Sequence, residues 1–429
     1  NKCGVDKVVM LIDNEKFFSN QFDQVTYNTN HRGGLVYDYN LTRLSNPSQY
    51  YYRLYNLSPK HFPYRQVFAR NNGIWDTTNL PVGSHPLTFE ITDVIGNVSR
   101  VQMQVIVEKG VQRSSETDQP TKAWSLEVWE FEGFLEVVCR STTPFRNPPT
   151  LQISQQNRPP VTVSLLPKGT AAYSGTYELL PGQDGILQLT VSAITQDGKQ
   201  LQETRQFPVH TIFANRGGTV TYGNNASMSF PPGALYEDIF ANIFPTTSYE
   251  TAEGLPVVGE VYDFRPAGCP LEKQGTIRIQ YPANVADPKK LGIFWWDMIK
   301  KRWYFMDDTV EPQTHSLTAE IIYPSVYAIL QDNVNPVISD LVPASGNTVP
   351  ASPGELSAII KDVGKGVDET SIVMQLDGKR VDGEYDPDRD KYAYPLTKAL
   401  KSGKYTLTVQ AIDKAGNPAK TQSSTFTIQ

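Results

Sequence analysis

Three carboxylates stand at alternate positions in DPDRD: Asp386, Asp388 and Asp390. A calcium loop opens this way, because a hard divalent cation gathers about six to eight oxygens from closely spaced groups. The pattern then breaks, since Lys391 and Tyr392 follow where a glycine turn and further ligands belong. The other reading is the polar tip of a hairpin between GEY and YAY. DVGKGVDE poses the same choice, with Asp362, Asp368 and Glu369 around Gly364 and Gly366. A third candidate is written twice. LPVGSHPLTFEITDVIGNVS (80–99) and LKSGKYTLTVQAIDKAGNPA (400–419) each hold Gly, then Asp ten residues on, then Gly-Asn. The matching residues are Gly83, Asp93, Gly96 and Asn97 against Gly403, Asp413, Gly416 and Asn417.

One Asp with one Asn does not fill a calcium shell, so each phrase reads first as a corner. The Asp side chain accepts backbone N–H groups, Gly supplies a positive φ and Asn tolerates it. Calcium bound between modules is the alternative. Other chemistry finds less. The five histidines, His31, His61, His85, His210 and His315, are isolated in sequence, and Cys3, Cys139 and Cys269 lie far apart with no CxxC. No GxSxG, SxxK or glycine-rich phosphate loop is present, and no pair of carboxylates stands out for glycoside hydrolysis. The expectation is a chain without catalysis and without a cofactor.

The elements that carry these residues are strands. In TLTVQAID, Leu407, Val409 and Ala411 fall on one side and Thr406, Thr408 and Gln410 on the other; in PLTFEITD the inward set is Leu87, Phe89 and Ile91. That is period two, a half-buried strand. Short alternating segments bounded by Gly, Pro, Asn and Asp recur along 429 residues, with Gly 30, Pro 31, Tyr 22 and Phe 18. The class expected is all-β, in tandem β-sandwich modules. Breaks at 110–121, 210–215 and Asn335-Pro336 divide the chain into 1–110, 111–212, 213–333 and 334–429. The first and last modules match again at VMLIDN (9–14) and VMQLDG (373–378), a strand and then a hairpin turn. Asp197-Gly198 marks a similar hairpin in the second.

The densest aromatics, SQYYYRLYN (48–56) and FWWD…KRWYF (294–305), read as core, with sugar stacking the alternative. Lys300-Lys301-Arg302 between them reads as a solvated turn. A net charge of −6 with both signs interspersed argues against nucleic acid. No run of about 18 apolar residues exists to span a membrane. The chain opens NKCGVDKVVML without Met or a leader, which reads as a processed or partial chain.

Two resemblances follow from these pieces. Residues from about 213 to 332 hold GGTVTYGN, the corner Pro231-Pro232-Gly233-Ala234, and a late YAIL, and are similar to the ZU-type β-sandwich of ankyrins, netrin receptors and bacterial surface proteins. The prolines also end a strand for a physical reason, as they have no N–H to donate. Over nearly the whole chain, the RLY strand at 53–55, GSHPLTFEITDVIGN, PPGAL, DVGKGVD and AIDKAGN resemble the non-catalytic region of bacterial lysostaphin-type zinc endopeptidases (murein hydrolase-like envelope proteins). The His/Asp/HxH zinc set of that family has no counterpart here. The resemblance implies three immunoglobulin-like modules and one ZU-like module in a scaffold or docking region at a bacterial cell envelope, periplasmic or extracellular. The partner implied is an envelope protein, with glycan or peptidoglycan as the other candidate. The rival readings are the accessory half of a peptidoglycan-directed zinc endopeptidase and a glycan- or calcium-dependent adhesin.

Overall fold

The computed structural model describes residues 4–25, 27–37, 51–56, 62–75, 77, 80–108, 124–131, 133–169 and 171–429. Within them the chain is all-β, in tandem β-sandwich modules, and helical structure is confined to short 3-10 segments. Among the described residues, no helix is long and apolar enough to cross a membrane. Two compact units form. The first comprises Asn1–Gly218, Phe230–Asn242 and Arg265–Lys273; the second comprises Thr219–Ser229, Ile243–Phe264 and Gln274–Gln429.

The first unit opens with one antiparallel sheet of β1 (Val5–Ile12), β2 (Glu15–Val25), β3 (Tyr64–Ala69), β4 (Gly83–Asp93) and β5 (Val98–Val107), in the order β3-β2-β1-β4-β5. Met10, Ile12, Phe17, Phe18 and Leu87 form its core, with Phe89 packed against them. Arg53–Tyr55, expected as a strand, is not one: only Tyr52 bridges, to Tyr37. The bend at Leu54 and Tyr55 lies against Gly73, where a Cβ would sit 2.6 Å from the Leu54 carbonyl oxygen.

Two further four-stranded sheets follow. One is β6 (Trp124–Phe131), β7 (Phe134–Ser141), β10 (Leu166–Gly169) and β11 (Ala172–Glu178), in the order β10-β11-β7-β6. The other is β8 (Thr150–Gln155), β9 (Arg158–Ser164), β12 (Gly185–Ile194) and β13 (Gln200–Val209), in the order β13-β12-β8-β9. Leu135, Val137 and Cys139 from the first, and Leu151, Leu187, Leu189 and Val191 from the second, are all fully buried. Burial pushes the Cys139 thiol up to about 11, a structural and unreactive setting. Cys269 is also a buried free thiol, and Cys3 lies outside the described residues.

The second unit holds two pairs of sheets. In the earlier pair, Leu291–Asp297 and Arg302–Asp307 form a hairpin in which Trp296 opposes Trp303 and Trp295 opposes Tyr304. Phe294, Trp296 and Trp303 are buried in one cluster with Leu255, Ala328 and Leu330. Most of this aromatic mass is therefore core. Trp295 and Tyr304 stack with ring centroids 5.5 Å apart, and the Arg302 guanidinium lies 4.3 Å over the Tyr304 ring. Lys300 and Lys301 form the turn, which the Asp297 carboxylate closes by accepting the Ile299 and Lys300 N–H at 2.9 Å.

The last pair of sheets shares a core of Leu356, Ile360, Met374, Leu407, Val409 and Phe426. Four strands of its five-stranded sheet repeat the order of the first, while the fifth lies on the opposite edge and pairs in parallel. Lys379–Val381, Val373–Leu376, Gly403–Gln410 and Gln422–Ile428 neighbour one another as β2, β1, β4 and β5 do. The turns correspond as well. Asp13 and Asn14 have φ of 51° and 63°, and Asp377 and Gly378 have 45° and 75°, the twist that two-residue hairpins require. Asp377 N donates to the Thr406 carbonyl and the Thr406 N–H donates to the Asp377 carboxylate. In the first copy Asp13 N donates to Pro86. Proline cannot return the bond, and His85 takes its place, 2.8 Å from the Asp13 carboxylate.

Truncation of Leu407 to Ala should destabilise the last sandwich by about 2–5 kcal/mol. Thr406→Ala, on the outward face, should stay within about 0.5 kcal/mol. Urea unfolding read by amide exchange over 422–428 distinguishes the two, and equal effects would contradict the assigned faces.

Candidate functional site

The two Asp-x-x-Gly-Asn phrases close by the same bonds. Asp93 N donates to the Asn97 carbonyl at 3.0 Å and Gly96 N to the Asp93 carbonyl at 3.0 Å; the Asp413 and Gly416 counterparts are both 3.1 Å. One Asp oxygen accepts the Asn N–H, at 2.9 Å in Asp93 and 2.7 Å in Asp413. The other accepts the Asn side-chain amide at 2.8 Å in both. Gly96 and Gly416 sit at φ of 90° and 86°, where a Cβ is strained. Gly83 and Gly403 begin the strands, at φ of 149° and 155°. Both phrases are corners in their internal bonding.

Their surroundings differ. Residues 94–97 are exposed, and the Asn97 amide holds the Asp93 carboxyl below the ordinary range. Asp413 and Asn417 are buried, at 2% and 5% exposure. The Asn417 side-chain amide also reaches the carbonyls of Asp332 and Val334, at 3.2 and 3.1 Å. Its oxygen accepts Lys290 Nζ at 2.7 Å. The loop Asp362–Gly366 docks beside it. Lys365 N donates to Asp332 Oδ2 at 2.6 Å. Lys365 Nζ donates to the Lys289 carbonyl at 2.6 Å and pairs with Asp308 at 2.7 Å. Gly364 is forced by contact: a Cβ there would lie 2.0 Å from Asp332 Oδ2.

Three carboxylates meet at this place. One oxygen each from Asp332, Asp362 and Asp413 lie within 4.8 Å of one another, the grouping among the described residues that could hold a cation. Like charges about 4 Å apart repel by about 4 kcal/mol at an effective dielectric of about 20, so their charge must be offset. Backbone N–H donors do part of this. Val334 and Lys365 donate to Asp332, Gly364 and Gly366 to Asp362 Oδ2, and Asn417 to Asp413. Asp362 Oδ1 is buried without a partner. Burial, followed by the charges of Asp332 and Asp413, pushes Asp362 up to about 6 against the Gly366 and Gly364 N–H. Burial also raises Asp332.

The remaining candidates lie apart. Asp386 accepts the Asp388 N–H at 3.1 Å and faces Arg389 at 3.6 Å, while Asp390 faces Lys361 at 3.9 Å. These three occupy the turn between Glu384–Asp386 and Lys391–Pro395. Asp368 caps a 3-10 turn through Thr370 N. At Pro231-Pro232-Gly233 the preceding strand ends at Phe230. Gly233, at φ 71°, donates to the Ala214 carbonyl at 2.8 Å, and Lys273 Nζ binds the Pro232 carbonyl at 2.8 Å. Each described histidine has its own neighbour: Asp13 for His85, Asn242 for His210 and the Tyr281 ring for His315. His61 lies outside the described residues, as does the His31 side chain. Asp332 and Lys290 lie in no candidate motif, and Lys365 lies inside DVGKGVD without being singled out there. The signal for Asp332 is its place in QDNVNP, legible as a boundary.

The bacterial Ig-like domain family matches residues 362–429, which include Asp362, Lys365, Asp413 and Asn417. No curated protein matches the chain. Among solved structures, fibronectin(III)-like modules of Clostridium thermocellum CbhA are 10% identical over 69% of this chain and 85% of theirs, with a TM-score of 0.19. A tetra-tandem repeat from the extending region of a large adhesion protein is 12% identical over 100% and 93%, with a TM-score of 0.19. The Bacteroides ovatus mixed-linkage glucan utilization locus protein SGBP-B, solved with a mixed-linkage heptasaccharide, is 12% identical over 69% of this chain and 64% of that one, with a TM-score of 0.15. Values this low carry no functional argument. Neither a ZU-type module nor a lysostaphin-type peptidase is among these likenesses.

Two outcomes test the cluster. Gly364→Ala should cost about 1–3 kcal/mol through overpacking against Asp332; an unchanged urea midpoint would mean the loop is not seated there. For pH, Asp362 in the folded chain keeps a proton that the unfolded chain releases near the ordinary value of 3.8. Its contribution is full below that value and is lost as pH rises through about 6. In a chelator-containing buffer, stability should fall between these limits, and Asp362→Asn should flatten the slope. A slope that Asp362→Asn leaves unchanged would place the titration elsewhere.

Proposed function

We propose that this chain is a non-catalytic, multi-domain scaffold or docking region of a bacterial cell-envelope protein, periplasmic or extracellular. Its modules are 1–110, 111–212, 213–333 and 334–429. The observation that carries the reading is the buried lock between the last two. Asn417 and Lys365 from one side engage Lys289, Lys290, Asp308 and Asp332 from the other, through hydrogen bonds of 2.6 to 3.2 Å. Buried polar groups that satisfy one another across a junction fix a single geometry, because any other arrangement leaves them unpaired at about 1–3 kcal/mol each. A scaffold needs such a fixed angle, and a string of freely hinged domains does not have one. Envelope placement is supported by the bacterial Ig-like match. The accessory-half reading rests on motif resemblance alone, and no structural observation favours it.

The test is local. Asn417→Ala should raise amide exchange of Asn333 and Val334 at least about tenfold, equivalent to about 1.4 kcal/mol, while Asn97→Ala in the exposed copy leaves both unchanged. Equal protection in wild type and Asn417→Ala would remove the lock as the basis of function.

A further inference from the structure

The two repeated sheets differ in what lies over their last strand. Residues paired across an antiparallel ladder share a face. Val101, Met103, Val105 and Val107 of β5, paired with Phe89, Leu87, His85 and Gly83, therefore lie on the core side of the first sheet. In the last sheet the same places, opposite Leu407, Tyr405 and Gly403, belong to Ser424, Phe426 and Ile428. Those three are 2%, 1% and 1% exposed. In the first sheet Met103 is 46% exposed and Val101 51%, and Val105 and Val107 are half-buried. On the opposite face Val98 and Ile106 are also exposed, beside the Arg100–Glu90 ion pair.

The last copy shows what closes such a sheet. Thr348–Val349 runs parallel to Gln422–Ile428 along its outer edge. Gly346 N donates to the Thr425 carbonyl at 2.8 Å, Thr427 N to the Asn347 carbonyl at 2.9 Å and Gln429 N to the Val349 carbonyl at 3.1 Å. Ile338, Leu341 and Val349 belong to the cluster that holds Phe426 and Ile428 or pack against it. Gln104 and Ile106 take the places of Thr425 and Thr427 in the shared register, and Glu108 follows as Gln429 does. Yet β5 is the edge of its sheet, with no strand beyond it among the described residues.

We propose that a β-strand from the polypeptide ahead of Asn1 closes the first sheet, lying parallel to β5 on its outer edge with apolar side chains over Val101, Met103 and Val105. The repeat supplies both the geometry and the source. In the last copy the closing residues 337–349 stand 24 to 36 residues ahead of Val373, the counterpart of Val9, and the same distance ahead of Val9 falls before residue 1. A second copy of the chain fits less well. Two-fold pairing of β5 with itself is antiparallel, and the closing strand of the repeat is parallel. An edge of ten residues with apolar groups on both faces is also one that a folded chain ordinarily covers. The inference goes beyond the scaffold role and does not depend on the lock described above.

The experiment compares chain 1–429 with the same chain extended through the residues that its gene encodes ahead of Asn1. The amides of Ile106 and Glu108 should exchange at least about a hundredfold more slowly in the extended chain. Met103→Asp in the extended chain should return Ile106 to its rate in chain 1–429, since a carboxylate is costly to bury in an apolar row. Gln410→Asp, on the other repeated sheet, should not. Equal exchange in the two chains, fast or slow, would overturn the proposal; slow exchange in both would mean that a segment within 1–429 covers the edge. So would slow exchange that Met103→Asp leaves intact, or a gene that places no further residues ahead of Asn1.

Discussion

A carboxylate that accepts both the backbone N–H and the side-chain amide of the asparagine four residues on closes the corner after the strand that carries each repeated phrase. The pairing of that strand with the next one depends on it. The bond pair needs the intervening glycine at positive φ, since only that conformation brings residue four back onto the Asp side chain. It also sets where the following strand starts. With the corner closed, Gly83 pairs with Val107 and Gly403 with Ile428, so the registers of two strands follow from four residues in each phrase.

The corner uses only part of what asparagine offers. A carboxamide has two N–H donors and an acceptor with two lone pairs, and closure consumes one donor. Around Asn97 the remainder faces water. Around Asn417 it meets the carbonyls of Asp332 and Val334 and the ammonium of Lys290. The same turn becomes a lock with no change in its own bonds. What differs is the neighbour, and with it the cost of disruption: an exposed amide is rehydrated when its partner goes, and a buried one is not.

This explains what could be read without coordinates. Period-two alternation identified Leu407, Val409 and Ala411 as inward and the chain as all-β, because pleating is local. The paired phrases were legible as corners because their chemistry lies within five residues. The meeting of Asp332, Asp362 and Asp413 was not, since the three come from separate segments and nothing in their spacing joins them. Local spacing offers Asp362 and Asp413 as ion ligands separately, and it does not offer Asp332. The expected strand at 53–55 failed for a related reason. Tyr52 alternates plausibly with Leu54, yet the close approach of Gly73 to the backbone at 54–55 is a tertiary fact.

Charge is distributed with a logic that local rules do not contain. At the lock, three carboxylates are brought together and then offset by N–H donors and the nearby ammonium groups of Lys290 and Lys365. Loss of any of these donors leaves a buried carboxylate less compensated. Concentrating charge at the lock makes the junction intolerant of any other arrangement.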